Sequence, residues 1–335
     1  MIEPLVSILT PFKNTEQYLV ECLDSICNQT YQNWELLIVN DHSTDNGTSI
    51  VESYAKRDDR IKLFNNDGKG IIEALRTGFQ HCKGALVTRM DSDDVMTPDK
   101  IEVLSELLVN KGRGHIAIGQ VKYFSESGIG DGYDKYARWL NLMISEGSNF
   151  KEIYKECVIP SPNFMVYKDD LIKCGAFQSD KYPEDYDLTF RFYKNNLVCI
   201  PCDRLTHHWR DYSTRSSRTD NHYSNDYLLD IKIHYFLALD YDASRPLAVW
   251  GAGGKGKFIA KKMTENNIPF HWICDNPNKI GHTIYGNKMF NIDYLVTLQN
   301  PQSIVSVASE QAQKEIRMYL DQQNMKAMKD YFFFC

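Results

Sequence analysis

LVSILTPFKNTEQYLVECLDSICNQTYQNWELLIVND, residues 5–41, contains the pattern from which the fold follows. Residues 5–12 are an apolar run rich in β-branched side chains, which reads as a strand. Leu19, Cys22, Leu23 and Ile26 then recur at helical spacing, and "WELLIVND" opens a second strand. The alternation continues through "IKLFNN", "ALVTRMD" and "HIAIGQVKYF" to about residue 125. Successive βαβ units predict a mainly parallel sheet with helices on both faces. Two helix starts are marked: Asn14 with Gln17 three residues on, and Thr97 followed by Pro98. No internal repeat is present.

A chain of 335 residues is long enough for two domains. With 43% hydrophobic and 24% charged residues it has the composition of a folded globular protein. A net charge of −6 gives no overall basic field and excludes nucleic acid as the principal partner. Glu3 and Pro4 stand where a signal peptide would be basic and then apolar, and no apolar run reaches ~20 residues. Nine cysteines, an odd number, read as reduced thiols of a cytoplasmic protein. Cys199-x-x-Cys202 followed by His207 and His208 has a superficial zinc spacing. A strand reading of "NLVCIPCDRL" turns these side chains to different faces and favours buried thiols.

In such a sheet, ligands bind outside the carboxyl ends of the strands. The residues to inspect are therefore Pro11 and Asn14, then Asn40, Asp41, Ser43 and Asp45, then residues 65–69, and finally Asp91, Asp93 and Asp94 in "TRMDSDDVMTPDK". Like charges that close raise one another's pKa unless a cation lies among them. Mg²⁺ or Mn²⁺, held by one or two carboxylates and the oxygens of a diphosphate, answers that need. The alternative is that Asp94 and Asp91 cap the helix near Thr97 or lie solvated in a turn.

The ordered set "VSILTPFKN", "WELLIVNDHSTDNG", "RMDSDD", "PEDYDLTFR" and "HHWRDYSTRSS" resembles the inverting family 2 glycosyltransferases of GT-A fold, over about residues 5–218. The resemblance implies that Pro11, Asn14 and Asp41 line the donor pocket, Asp41 meeting uracil or ribose. Asp91 would lie near the ribose and share with Asp93, the principal ligand, the holding of Mn²⁺ or Mg²⁺; His208 is a candidate third ligand. Asp185, beside Glu184, would be the general base of a single, inverting displacement. Lys69, Arg76 and Arg210 are candidate phosphate contacts. "NDGKGIIEALRTGF" and "NDH" depart from the family's common pattern. For Glu184 and Asp185 the alternative is plain helix N-terminal acids.

These readings divide the chain into a GT-A domain (1–218), a helical linker (219–244) and a Rossmann-like domain (245–335). Residues 128–182, aromatic-rich and weakly periodic, read as a lid or acceptor region. In the last domain Gly251, Gly253 and Gly256 have G-x-G-x-x-G spacing after a strand, with Asp275 ending the next. The turn either binds a nucleotide or serves only tight helix packing. Lys255, Lys257, Lys261 and Lys262 follow it, as an anion attractor or a solvated face.

The expectation is a metal-dependent hexosyltransferase moving sugar from a nucleotide-sugar, a UDP-sugar, to a glycan or lipid-linked acceptor in polysaccharide synthesis. A peripheral position at the inner face of the membrane and a homodimer are compatible with it. The alternatives are a sugar nucleotidyltransferase, which "TPFKNTEQ" does not favour for want of a glycine-rich basic loop, and a binding protein with a silent transferase domain.

Overall fold

An apolar run between two others must bury both faces, and β1 (Val6–Phe12) is buried along all but Pro11. Helix α1 (Glu16–Cys27) covers it with Leu19, Cys22, Leu23 and Ile26. Strand β2 (Trp34–Asn40) then returns parallel to β1, Phe12 opposite Asn40. In this computed structural model, which describes residues 3–126, 128–219 and 224–335, the alternation runs on through α2 (Gly47–Ala55), β3 (Ile61–Asn65), α3 (Ile71–Gln80) and β4 (Leu86–Arg89). There follow β5 (Val95–Met96), α4 (Lys100–Lys111), β6 (His115–Ile118), β7 (Gln120–Phe124) and α5 (Asp131–Glu146). The first unit closes with β8 (Phe164–Tyr167), α6 (Lys168–Lys173), α7 (Glu184–Lys194), β9 (Val198–Ile200), β10 (Leu205–Arg210) and α8 (Ser216–Thr219).

Among the described residues the main sheet has the order β3-β2-β1-β4-β8-β6-β9, and β5-β10-β7 form a smaller one. The sheet is mainly parallel; β8 runs antiparallel to both β4 and β6. The chain winds outward from β1 through β2 to β3 and then crosses back to β4 on the other side of β1. That reversal leaves a crevice at the carboxyl ends of β1 and β4, where the aspartate stretch lies.

Several boundaries differ from expectation. Asn14 caps no helix: it takes a left-handed φ of 52° and α1 begins at Glu16. Helix α4 starts at Lys100 rather than at Pro98, because Thr97 O closes a turn by accepting the Lys100 N–H at 3.2 Å. Residues 128–182 hold the sixteen-residue α5, whose buried Ala137, Leu140, Met143 and Ile144 keep helical spacing beneath the aromatic residues that blurred it. The strand expected across Cys199 and Cys202 breaks at Pro201; both cysteines are buried free thiols.

The chain forms two compact units, Met1–Phe150 with Val158–Thr219, and Lys151–Cys157 with Asp220–Cys335. The second contains α9 (Asn225–Leu239), so the helix read as a linker belongs to a unit; residues 220–223 of that stretch lie outside the described residues. Its remaining elements are β11 (Leu247–Trp250), α10 (Gly254–Glu265), β12 (His271–Ile273), β13 (Thr283–Ile284), β14 (Asn287–Phe290), β15 (Gln302–Val305), α11 (Glu310–Gln322) and β16 (Tyr331–Phe333). They form a sheet β13-β14-β12-β11-β15-β16, parallel but for the β13–β14 pair. Tyr154, from the short segment contributed earlier in the chain, stacks on Phe334 at 5.3 Å and donates its hydroxyl to Asp240 Oδ2. No described helix is long and apolar enough to cross a membrane.

Gly119, between β6 and β7, has Thr206 against its Cα: a Cβ there would come within 1.8 Å of Thr206 Oγ1, which donates to Asn163 Oδ1 at 2.8 Å. Gly119→Ala therefore overpacks a buried junction, and a thermal melt should show a loss on the order of 3 kcal/mol.

Candidate active site

The rim loops after β1, β2 and β3 are stapled by side chains. Asn14 Oδ1 accepts the Thr44 N–H at 2.8 Å, and Asn14 N–H donates to Ser43 Oγ at 3.1 Å. Asp41 is buried; its Oδ1 accepts from Asn66 Nδ2 at 2.7 Å and from the Gly70 N–H at 3.0 Å. Its Oδ2 faces exposed Lys13 at 3.5 Å. Pro11 lies on β1 opposite Val39, half-buried at the same rim. Asp41 is thus held in place by its neighbours, and Lys69 projects from the adjoining loop as an exposed side chain.

The aspartate turn follows β4. Asp94 is fully buried; its Oδ1 accepts the Arg210 N–H at 2.8 Å and its Oδ2 lies 2.9 Å from His207 Nε2. His207 Nδ1 lies 3.3 Å from Lys100 Nζ, which also donates to Pro162 O at 2.5 Å. A buried chain Asp94–His207–Lys100 therefore underpins the turn, and Asp94 caps no helix. Burial raises the Asp94 carboxyl, lowers the His207 imidazole well below its usual range and lowers the Lys100 ammonium to about 7.

Asp93 is held differently. Its Oδ2 accepts the Tyr212 hydroxyl at 2.8 Å, while its carbonyl accepts from Arg210 Nε at 2.7 Å. Desolvation, with the Asp94 and Asp91 charges, pushes the Asp93 carboxyl up to about 7. Arg215, itself buried, opposes that shift by its charge and lies over the Trp209 ring at 5.0 Å.

Asp185 and Glu184 occupy the first turn of α7. Glu184 is 7% exposed; Oε1 accepts from Arg89 Nη1 at 3.0 Å, and Oε2 is buried with no hydrogen-bond partner among the described residues. Arg89 Nε donates in turn to Asp91 Oδ1 at 3.0 Å. One guanidinium, 6% exposed, thus joins the turn after β4 to the start of α7 across 95 residues of chain. Desolvation and then the Glu184 charge raise the Asp185 carboxyl. Arg89, Glu184 and Asp185 line one pocket with Ser161 and Phe177.

Three expected site residues are engaged elsewhere. Arg76 donates to Phe177 O at 2.7 Å and Gln178 O at 2.8 Å and pairs with Glu73 and Asp180, so it clamps residues 177–180 instead of pointing to phosphate. Arg210 lies over Tyr18 and Phe124, pairs with Glu21 and braces the aspartate turn. His208 lies T-shaped against Phe124, and it is His207 that hydrogen-bonds Asp94, since neighbouring strand residues face opposite ways. The sequence does not single out Arg89, Lys100, Tyr212 or Arg215, and it raises His207 only within a zinc-like spacing. An arginine inside "ALVTRMD" carried a signal, since a fully buried strand must pair it; so did Lys100, which shares the i, i+4, i+8 face with Leu104 and Leu108.

In the second unit Gly251 has φ 124°, and a Cβ there would lie 2.4 Å from Ser306 Oγ. A Cβ on Gly256 would lie 2.1 Å from Gly251 O, whereas Gly253 faces open space. Asp275 accepts from Trp250 Nε1 at 2.9 Å, and Lys279 donates to Ala252 O at 2.9 Å. Close packing accounts for two of the three glycines. Lys262 pairs with Asp230 and Lys261 with Glu265, as on a solvated helix face.

Residues 7–175 match the model of glycosyl transferase family 2. The chain belongs to that family. It is 32% identical over 249 residues to an uncharacterized glycosyltransferase of Haemophilus influenzae, covering 70% of this chain and 75% of that protein. It is also 32% identical over 200 residues to glycosyltransferase GlyA of Streptococcus pneumoniae, covering 58% of this chain but 28% of that protein. The solved structure of S. aureus TarS 1-349 with UDP-GlcNAc superposes with a TM-score of 0.55 at 18% identity, over 71% of this chain and 68% of that one. The mannosyltransferase PcManGT of Pyrobaculum calidifontis, in complex with GDP-Man and Mn²⁺, gives 0.51 at 16%, over 80% and 81%. The fold is therefore that of the GT-A glycosyltransferases, and the chain spans less than a third of GlyA.

Removing Lys100 tests the buried chain. Lys100→Met strands Pro162 O and His207 Nδ1, and the urea midpoint should fall by the equivalent of about 1–3 kcal/mol at an unchanged slope.

Proposed function

We propose that this glycosyltransferase moves a hexosyl group from a UDP-sugar to a hydroxyl of a glycan or lipid-linked glycan, inverting the anomeric centre. The observation that carries the proposal is the convergence of the Asp91–Asp94 turn and the Glu184–Asp185 pair on Arg89. Single displacement requires a leaving-group side and a base side within one cleft, and those two acid groups supply them. The transferase role falls to residues 1–218. A nucleotidyltransferase has no evident use for a second acid pair at the start of α7.

A divalent cation fits the donor set. Among the described residues no three His, Cys, Asp or Glu side chains form a ready-made cage. Mg²⁺ and Mn²⁺ in nucleotide sites do not require one, taking one or two carboxylates and completing the shell with phosphate and water. Asp93, with Asp91 beside it, would hold the ion. Two features support this: PcManGT is described with Mn²⁺, and the Asp93 carboxyl is pushed up by desolvation and by the Asp94 and Asp91 charges, which a cation would offset. When bound, the ion supplies electrostatic stabilisation of the departing diphosphate.

The chain's own residues do the rest. Asp41 and Pro11, on a rim stiffened by Asn14, Asn66 and Gly70, shape the nucleoside pocket. Asp185 accepts the proton of the attacking hydroxyl, and a carboxylate raised from its ordinary range is a stronger base for that task. Ionised Asp185 is the active form, so activity is lost as pH falls through its raised pKa.

Two measurements test this reading. Mn²⁺ at ~100-fold over its Kd should stabilise wild type by roughly 2.7 kcal/mol in a thermal shift and leave Asp93→Ala unmoved. That stabilisation should fade as pH drops below about 7, because protons compete for the same carboxylate. Asp185→Asn should keep donor binding and lose transfer, and the wild-type acid limb of kcat should lie above the ordinary aspartate value of about 4. Undiminished transfer by Asp185→Asn assigns the base elsewhere.

A further inference from the structure

The Arg89 side chain touches both acid groups, with Nε on Asp91 Oδ1 and Nη1 on Glu184 Oε1, each at 3.0 Å. Its backbone is pinned: Arg89 ends β4 opposite Leu9 of the central strand, and Met90 N–H donates to Leu9 O at 2.9 Å. Its head is buried, so the two contacts are made away from bulk water, where charge-assisted bonds are strong. The other end is equally constrained. Glu184 is the first residue of α7, and its neighbour Asp185 takes its orientation from the same turn, Oδ1 accepting the Tyr186 N–H at 2.8 Å.

We propose that Arg89 is a positioning residue for transfer: it sets the span between the donor-side acid Asp91 and the base-side pair, acting on Asp185 through Glu184. This rests on the functional reading above and deepens it. Two carboxylates facing each other across the cleft would repel and move apart. The guanidinium between them converts that repulsion into two bonds of fixed length and direction. Lysine cannot replace it without bringing both acids to a single nitrogen, because its three donors share one atom. The predicted signature is a fault in geometry, with the donor still binding and the proton acceptor displaced. A displacement of about 1 Å in such a site costs on the order of 100-fold in rate.

The test measures UDP release from a panel of UDP-sugars with Mn²⁺, for wild type, Arg89→Lys, Arg89→Met, Arg89→Ala, Glu184→Gln and the double variant Arg89→Met with Glu184→Gln. Arg89→Lys should lose about 100-fold in kcat with little change in donor KM. In the Glu184→Gln background, Arg89→Met should add little further loss, because one acts through the other. Methylguanidine should restore part of the kcat of Arg89→Ala, and methylammonium should not. A kcat for Arg89→Lys within about twofold of wild type, or losses in the double variant that simply multiply, overturns the proposal. Should wild type release no UDP from any donor, the functional reading falls. The same variants in urea then decide this one, since additive losses of unfolding stability would show Arg89 and Glu184 to be uncoupled. Should Arg89→Met not fold, Arg89→Lys and the rescue of Arg89→Ala carry the decision.

Discussion

Crowded carboxylates at the carboxyl end of β4 are the constraint on which the rest of the first unit depends. Asp91, Asp93 and Asp94 lie within four residues, and Asp94 has no exposed surface. Burying even one unpaired carboxylate costs several kcal/mol, so the turn exists only because the chain surrounds it with counter-groups. Arg89 meets Asp91, Tyr212 meets Asp93, and His207 with the Arg210 backbone meets Asp94. These partners come from β4 and from β10 and its following loop, so the small sheet β5-β10-β7 is in effect the support of the acidic turn.

Compensation of these acids is uneven. Burial raises both carboxyls, but Asp94 spends both oxygens on the scaffold, whereas Asp93 gives Oδ2 to Tyr212. In the mechanism proposed above, Asp94 is the structural acid of the turn and Asp93 the one that would meet a cation. The same division recurs at α7. Glu184 is committed to Arg89 through Oε1, and Asp185, raised by burial and by Glu184, faces the pocket.

The second unit shows the opposite balance. Its glycine turn has the geometry of a strand-to-helix connection, yet Gly251 and Gly256 are demanded by Ser306 and by the turn's own carbonyl. Asp275 is taken by the Trp250 indole. Close packing accounts for two of the three motif glycines there, which is why spacing by itself could not separate a nucleotide site from a tight turn.

From the sequence by itself came the alternation of strands and helices, the placing of the rim loops and the likeness to family 2, because hydrophobic periodicity and motif order are local properties of the chain. The roles of arginines and histidines were not legible in that way. Arg76 and Arg210 looked like free cations, and only the folded chain spends them on residues 177–180 and on the aspartate turn. His207 and His208 are indistinguishable in sequence; strand direction decides that the first meets Asp94. Tertiary structure alone brought Arg89 between Asp91 and Glu184, since a contact across 95 residues depends on how β4 and α7 pack and leaves no local trace except a charge in an apolar run.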